Sequence, residues 1–342
     1  MKALVLEEYK KFVYKDVPNP VINDDEVLVE VKAVGICGSD VHGMDGSTGR
    51  RMPPIIMGHE ASGVVVEIGK NITGWNIADR VTFDSTIYKL DDWYTRKGHY
   101  NLSDNRKVLG VSCTDYRRDG AFAQYVNIPS HILYRIPDNV TFEHAAMVEP
   151  IAVALHSINI SGIKINDTAA VFGSGMIGLF IIQLLRQAGC NVIALDILQE
   201  KLDMAKNAGA NVILNSQTDD VPGEIRKLTQ NRGADFAFEA VGITPTIKSA
   251  IESIRKGATL VLVGNLSPSI ELPLQKIVTQ EITVKGSCAI NGEYPAVLDL
   301  ISKGKINVDN MISTVAPLSE GALYFDKLYK KERGLLKVIL KP

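Results

Sequence analysis

Residues 168–189 read TAAVFGSGMIGLFIIQLLRQAG, and the way this stretch divides decides the fold class. It opens with a short apolar run, Thr168 to Phe172, and closes with apolar residues at helical spacing up to Gly189. Between them Gly173, Gly175 and Gly178 form a G-x-G-x-x-G. In a strand–turn–helix setting the first glycine turns the chain tightly, the second lets a pyrophosphate approach the backbone, and the third lets helix and strand pack closely. Unpaired N–H groups and the helix dipole then hold the anion. Asp196 closes the next apolar run, eighteen residues past Gly178, where a carboxylate accepts ribose hydroxyls. The residues after it, Ile197, Leu198 and Gln199, include no arginine to meet a 2′-phosphate, so the pattern favours NAD over NADP.

The same rhythm continues downstream. NVIALD, NVILN, DFAFEAVG, TLVLVG and ITVKGS read as strands, with LQEKLDMAKNAG, GEIRKLTQNR and TIKSAIESIRKG as helices between them. Gly189, Gly209 and Gly257 stand where helix C-caps are expected. Alternating units of this length predict an α/β domain with a parallel sheet covered on both faces. Upstream, residues 1 to about 150 are short β-segments broken by Gly and Pro: KALVLE, EVLVEVKAVGI, ASGVVVEIG, DRVTF and AFAQYVNI. They predict a small barrel-like β-domain. The tail from about 290 reads as one or two helices and a final strand, LLKVILK, and its domain is left open.

With 342 residues and 46% hydrophobic content, two domains are expected. The 37 basic and 39 acidic residues nearly cancel, which argues against nucleic acid or an anionic membrane as partner. The apolar run MIGLFII is too short to span a bilayer, and MKALVLEEYKK lacks the apolar region of a signal peptide, so a cytoplasmic location is expected. Cys37, Cys113, Cys190 and Cys288 lie far apart and predict no disulfide framework.

In the first domain, GICGSDVHG places Cys37, Ser39, Asp40 and His42 on a glycine-flanked turn, and MGHEASG places His59 and Glu60 together. A thiolate, an imidazole and a carboxylate with one open position make a catalytic zinc site, since Zn²⁺ accepts S, N and O. The carboxylate is either Glu60 or the distant Glu149 of AAMVEPIAVALH.

These segments, together with DRV, DGAFAQYV and VFGSGMIG, occur in the order found in zinc-dependent medium-chain dehydrogenases. The chain resembles that family over essentially its whole length. It looks most similar to the sorbitol and polyol dehydrogenase branch, with galactitol-phosphate and threonine dehydrogenases, because Glu149–Pro150 stands where the ethanol-type branch has a cysteine. The resemblance implies a GroES-like β-barrel catalytic domain over 1–151, completed by 290–342, and a Rossmann NAD-binding domain over 152–289. It implies zinc held by Cys37, His59 and Glu60 or Glu149, with Ser39 passing the substrate proton through the cofactor ribose to His42. It implies cofactor contacts at Gly173, Gly175, Met176, Ile177, Gly178, Asp196, Lys201, Val241, Val263 and Ser287. The implied substrate is a secondary alcohol of a polyol or sugar derivative, oxidised to a ketone. Arg50, Arg51, Arg117 and Arg118 are candidates to grip an anionic end. Alternatives are a simple secondary-alcohol dehydrogenase and a non-catalytic dinucleotide-binding protein. A homodimer or homotetramer, joined through the strand near ITVKGSCAI, is implied as well.

One segment departs from the family pattern. Residues 88–103, YKLDDWYTRKGHYNLS, align with a lobe that relatives fold around a structural zinc held by four cysteines. Those positions are here Lys89, Asp92, Thr95 and Ser103, so the cage cannot form and a single catalytic zinc per chain is expected. A substitute site from Asp91, Asp92 and His99 is a minor alternative. Packing of Trp93, Tyr94, Tyr100 and Leu102, ion pairs or a neighbouring subunit must otherwise hold the segment.

Overall fold

In the computed structural model, which describes residues 1–342, the stretch 168–189 becomes the strand Thr168–Phe172, a glycine turn and the helix Met176–Gln187. Gly173 has φ +94°, and a side chain on Gly178 would run into the Gly173 carbonyl oxygen, so the turn closes only with glycine at both ends. The strand seeds a six-stranded parallel sheet. Its spatial order is Val212–Asn215, Asn191–Asp196, Thr168–Phe172, Ala234–Glu239, Ile254–Leu262, Thr283–Gly286. The chain builds outward on one side of Thr168–Phe172, then returns to build the other side, so the strand order reverses beside the glycine turn. Ala170, Phe172, Ile193, Leu195, Ala237 and Leu260 form part of the buried core of this unit.

Gly189 (φ +78°) and Gly209 (φ +107°) follow the C-caps Ala188 and Ala208, as expected. Gly257 does not cap a helix. The helix Thr244–Ser253 stops earlier, and Ile254, with φ −95° and ψ 155°, already starts the strand Ile254–Leu262. Ile254 is buried and pairs with Ala234, so sheet burial of a β-branched side chain wins over continuation of the helix.

The chain divides into two compact units: Met1–Glu149 with Ile290–Gly304 and Val308–Pro342, and Pro150–Ala289 with Lys305–Asn307. In the first unit the strand Glu26–Gly35 pairs with Glu60–Ile68, Tyr125–Pro129 and Val338–Lys341 within a seven-stranded sheet. The tail therefore returns to the N-terminal sheet. A three-stranded sheet of Lys11–Asp16, Lys2–Glu8 and Ile55–Ile56 packs on the same core, where Leu4, Val29, Phe83, Phe122, Phe325 and Leu340 are fully buried. Phe325 stacks on Phe12 at 4.2 Å and meets Phe122 edge-on at 5.5 Å.

Hydrogen bonds organise the segment 88–103. Asp92 Oδ2 accepts the Tyr94 and Thr95 amides at 2.8 and 3.2 Å, capping the short helix Trp93–Arg96, and its Oδ1 accepts the Asp104 amide at 3.0 Å. The residue at a cysteine position thus gathers the loop through three backbone amides. Tyr100 stacks on Tyr88 at 4.3 Å, and Asn291 Nδ2 donates to Gly98 O at 2.8 Å. Trp93 and Leu102 are 64% and 46% exposed, so they do not anchor the lobe as expected from their apolar character.

Replacing the Asp92 cap is expected to loosen the lobe without touching metal binding. Asp92→Ala should lower the thermal midpoint by a few degrees and leave zinc content unchanged by elemental analysis. A fall in zinc would show that Asp92 is a ligand.

Candidate active site

Strand register brings the candidate metal-ligating side chains together. Gly35, at the end of Glu26–Gly35, pairs with Glu60 on one side and with Ile339 on the other. Cys37 follows two residues later as N-cap of the helix Gly38–Gly43, and His59 immediately precedes Glu60. A side chain at Gly35 would strike the Glu60 carboxylate, so glycine there makes room for it. Ligand atoms of Cys37, His59 and Glu60 lie within 4.8 Å of one another. Glu149, in the first turn of the helix Val148–Ser161, accepts a hydrogen bond from Ser85 Oγ at 3.0 Å.

A second layer orients these groups. Arg51 Nε and Nη2 donate to Asp40 Oδ1 at 3.0 and 2.7 Å, and Asp40 Oδ2 lies 3.6 Å from His59 Nδ1. With Nδ1 facing a carboxylate, His59 keeps Nε2 for a cation. Lys337 Nζ donates to Glu60 Oε2 and to Ile36 O at 3.0 Å, with Lys337 and Glu60 only 2% and 1% exposed.

The charges are poised for a cation. Burial pushes the Cys37 thiol far above its ordinary range, Glu60 pushes it further, and Lys337 opposes. Burial also lifts Glu149 to about 7, with His59 pulling it down and Glu60 adding to the rise. Burial works against the Lys337 ammonium, but Glu60 and Cys37 outweigh it and leave its pKa raised. Cys37 and Glu149 therefore resist ionisation, and a dication would relieve that resistance. Sulfur, nitrogen and carboxylate oxygen are the donors zinc takes, so the residues fit the ion.

Ser39 Oγ donates to Cys37 Sγ at 3.3 Å and accepts from Arg51 Nη2 at 3.4 Å. Ser39 and His42 are exposed and three apart on one helix face. Of the arginines, Arg51 is 4% exposed and engaged with Asp40, while Arg118 pairs with Glu26 at 3.0 Å. Neither is free to grip an anion. Arg50 is exposed, and Arg117 is 4.0 Å from Asp119.

In the second unit the expected cofactor residues gather at the carboxyl ends of adjacent parallel strands. The glycine turn with Met176 and Ile177 follows Thr168–Phe172, Asp196 ends Asn191–Asp196, and Val241 follows Ala234–Glu239. Val263 and Ser287 each lie one residue past their strands. Lys201 is half-buried in the helix Gln199–Asn207. Asp196 is tied down more than the sequence implied. Its Oδ2 accepts the Ser174 amide at 2.8 Å and its Oδ1 accepts the Ile197 and Leu198 amides at 2.8 and 3.1 Å. A carboxylate has about four acceptor positions, so capacity for a ribose hydroxyl is retained.

Lys337, Ser85 and the orienting role of Asp40 were missed in the sequence. Ser85 carried no signal. Lys337 did, as a lone charge inside LLKVIL, because a lysine in a buried run must find a partner.

Residues 23–138 match the family model described as an alcohol dehydrogenase GroES-like domain, and residues 177–303 match that of a zinc-binding dehydrogenase. The chain is 33% identical to D-arabitol-phosphate dehydrogenase of Enterococcus avium, over 97% of this chain and 94% of that protein. Galactitol-1-phosphate dehydrogenase from Escherichia coli superposes with a TM-score of 0.93 at 28% identity, covering 100% of both chains. A zinc-binding dehydrogenase from Sinorhizobium meliloti 1021, bound to NADP, gives a TM-score of 0.91 at 32% identity, covering 100% of this chain and 99% of that one.

In the metal-free protein, Glu149 holds its proton up to about 7 when folded, against 4.5 for the ordinary carboxyl. The folded chain binds more protons across that window, so stability should fall as pH rises from about 4.5 to 7. Urea midpoints taken across this range should decline, and Glu149→Gln should flatten the slope. A smaller residual slope is expected from Asp84, which burial lifts to about 6.

Proposed function

The chain belongs to the zinc-binding dehydrogenases with a GroES-like domain, and on that premise we propose that it oxidises a secondary hydroxyl of a polyol or sugar derivative to a ketone, with NAD as hydride acceptor. The observation that carries this reading is the meeting of Cys37, His59 and Glu60 within 4.8 Å, in a chain whose second unit has a glycine turn where the strand order reverses. One zinc, held by Cys37, His59 and either Glu60 or Glu149, would acidify the substrate hydroxyl as it lowers the pKa of water from about 15.7 to about 7.

The protein's own groups do the rest. Asp40, gripped by Arg51, faces Nδ1 of His59 at 3.6 Å. Ser39 would accept the hydroxyl proton, and His42 would release it to solvent at the surface. The two residues share one exposed helix face, which supports that order. Asp196, with no arginine in the next three positions, supports NAD; the NADP in a structural neighbour belongs to that neighbour. Two of the similar proteins, D-arabitol-phosphate dehydrogenase and galactitol-1-phosphate dehydrogenase, are named for phosphorylated polyols. With Arg51 and Arg118 engaged, Arg50 and Arg117 are the arginines left for such a group. The reading includes self-association as a dimer or tetramer through the outer strand Thr283–Gly286. The helix before it, Leu274–Thr279, exposes Leu274 and Val278 at 70% and 66%.

The test is elemental analysis followed by NADH absorbance on a panel of neutral and phosphorylated polyols. Wild type should hold about one zinc per chain and turn over at least one member, and Cys37→Ser should lose both zinc and turnover. Retained turnover in Cys37→Ser, or two zinc ions in wild type, contradicts the reading. NAD should exceed NADP in kcat/KM, and Asp196→Ser should narrow that ratio by about tenfold, the worth of one charge-assisted contact.

A further inference from the structure

Three consecutive buried residues, Asp84, Ser85 and Thr86, connect the lobe that lacks the four cysteines to the candidate metal site. They are 0%, 3% and 0% exposed. Asp84 Oδ1 accepts the Thr86 amide at 2.8 Å and so closes the turn on itself, while Asp84 Oδ2 accepts the Tyr100 hydroxyl at 2.6 Å. Ser85 points the other way and donates to Glu149 Oε1 at 3.0 Å. The Tyr100 oxygen also accepts the Gly292 amide at 2.8 Å, and Tyr294 OH donates to the Phe83 carbonyl at 2.7 Å. The main chain adds Asp84 N to Ile132 O at 2.9 Å and Leu109 N to Ser85 O at 3.0 Å.

One phenol oxygen thereby joins the lobe, the turn and the returning tail. We propose that Tyr100 is a positioning residue for Glu149, acting through Asp84 and Ser85, so that the lobe sets the metal site by a hydrogen-bond chain. The proposal rests on the reading that Glu149 belongs to the metal site. Its physical basis is an asymmetry of cost. Deleting the phenol strands a fully buried carboxylate oxygen, and a buried acceptor without a donor is more expensive than the lost bond itself. Asp84 must then rotate or take up a proton. Rotation breaks the bond to the Thr86 amide and protonation weakens it, and both loosen the turn that carries Ser85, the donor to Glu149. Burial already pushes Asp84 up to about 6, so little is needed to tip it.

The full chain is loaded with Co²⁺ in place of zinc, and its visible spectrum is recorded. A thiolate charge-transfer band that Cys37→Ser abolishes establishes metal at Cys37; its absence from wild type defeats the functional reading itself. With the band present, Tyr100→Phe, which keeps the ring stack on Tyr88, is expected to shift the d–d bands and weaken Co²⁺ binding by about tenfold or more, the usual cost of losing an outer partner. Glu149→Gln should also shift the bands, and adding Tyr100→Phe to it should shift them no further. An unchanged Tyr100→Phe spectrum, an unchanged Glu149→Gln spectrum, or an equal Tyr100→Phe shift in the Glu149→Gln background overturns the proposal. Should Tyr100→Phe fail to fold, Ser85→Ala cuts the chain one step nearer Glu149. It must reproduce the shift, and a wild-type spectrum there overturns the proposal equally.

Discussion

The first unit turns on the pairing of Gly35 with Glu60 on one side and Ile339 on the other. Three segments, two near the start of the chain and one near its end, meet at one backbone position. Cys37 leaves the central strand two residues later, Glu60 begins the neighbouring strand, and Lys337 enters two residues before Ile339. Side chains alternate faces along a strand, so a one-residue slip in any pair would send a ligand to the opposite side. The core beneath, from Leu4 to Leu340, penalises such a slip because it would expose buried apolar surface.

That register concentrates ionisable groups in a dry place. Cys37, Glu60, Glu149 and Asp40 are acids in close company, answered within the protein by Lys337 and Arg51. Removing water from paired charges costs about as much as their attraction returns, so these ion pairs are poor evidence of stability. Their value is orientation. Arg51 fixes Asp40, Asp40 faces one nitrogen of His59, and Lys337 anchors one oxygen of Glu60. The donor atoms of Cys37, His59 and Glu60 lie within 4.8 Å of one another, and burial raises the pKa of Cys37 and of nearby Glu149.

The lobe at 88–103 solves an ordering problem without the four cysteines. Asp92, at one of those positions, collects three backbone amides, and Tyr100 joins the lobe to Asp84 and to the tail. Each link is weaker than a metal–thiolate bond. They replace one strong centre by several directional contacts, and their direction leads to Ser85 and Glu149.

The nucleotide unit was legible in sequence because its determinants are local: strand, turn and helix lie within 168–189, and Asp196 ends the next strand. The sequence reading lapsed there at Gly257, where sheet burial of Ile254 interrupted a helical pattern, and at the unread helix Leu274–Thr279. The ligand candidates were legible too, because Cys37, His59 and Glu60 sit in short motifs. Only tertiary structure decided what stands behind them. Lys337 lies 277 residues from Glu60, Tyr100 16 from Asp84, and Ser85 64 from Glu149. It also removed Arg51 and Arg118 from the pool of substrate grips by giving them Asp40 and Glu26. The reason is common to all of these. Residue type and spacing reveal which groups can react, but the partner of a buried charge is set by strand register and chain return, which no local pattern encodes.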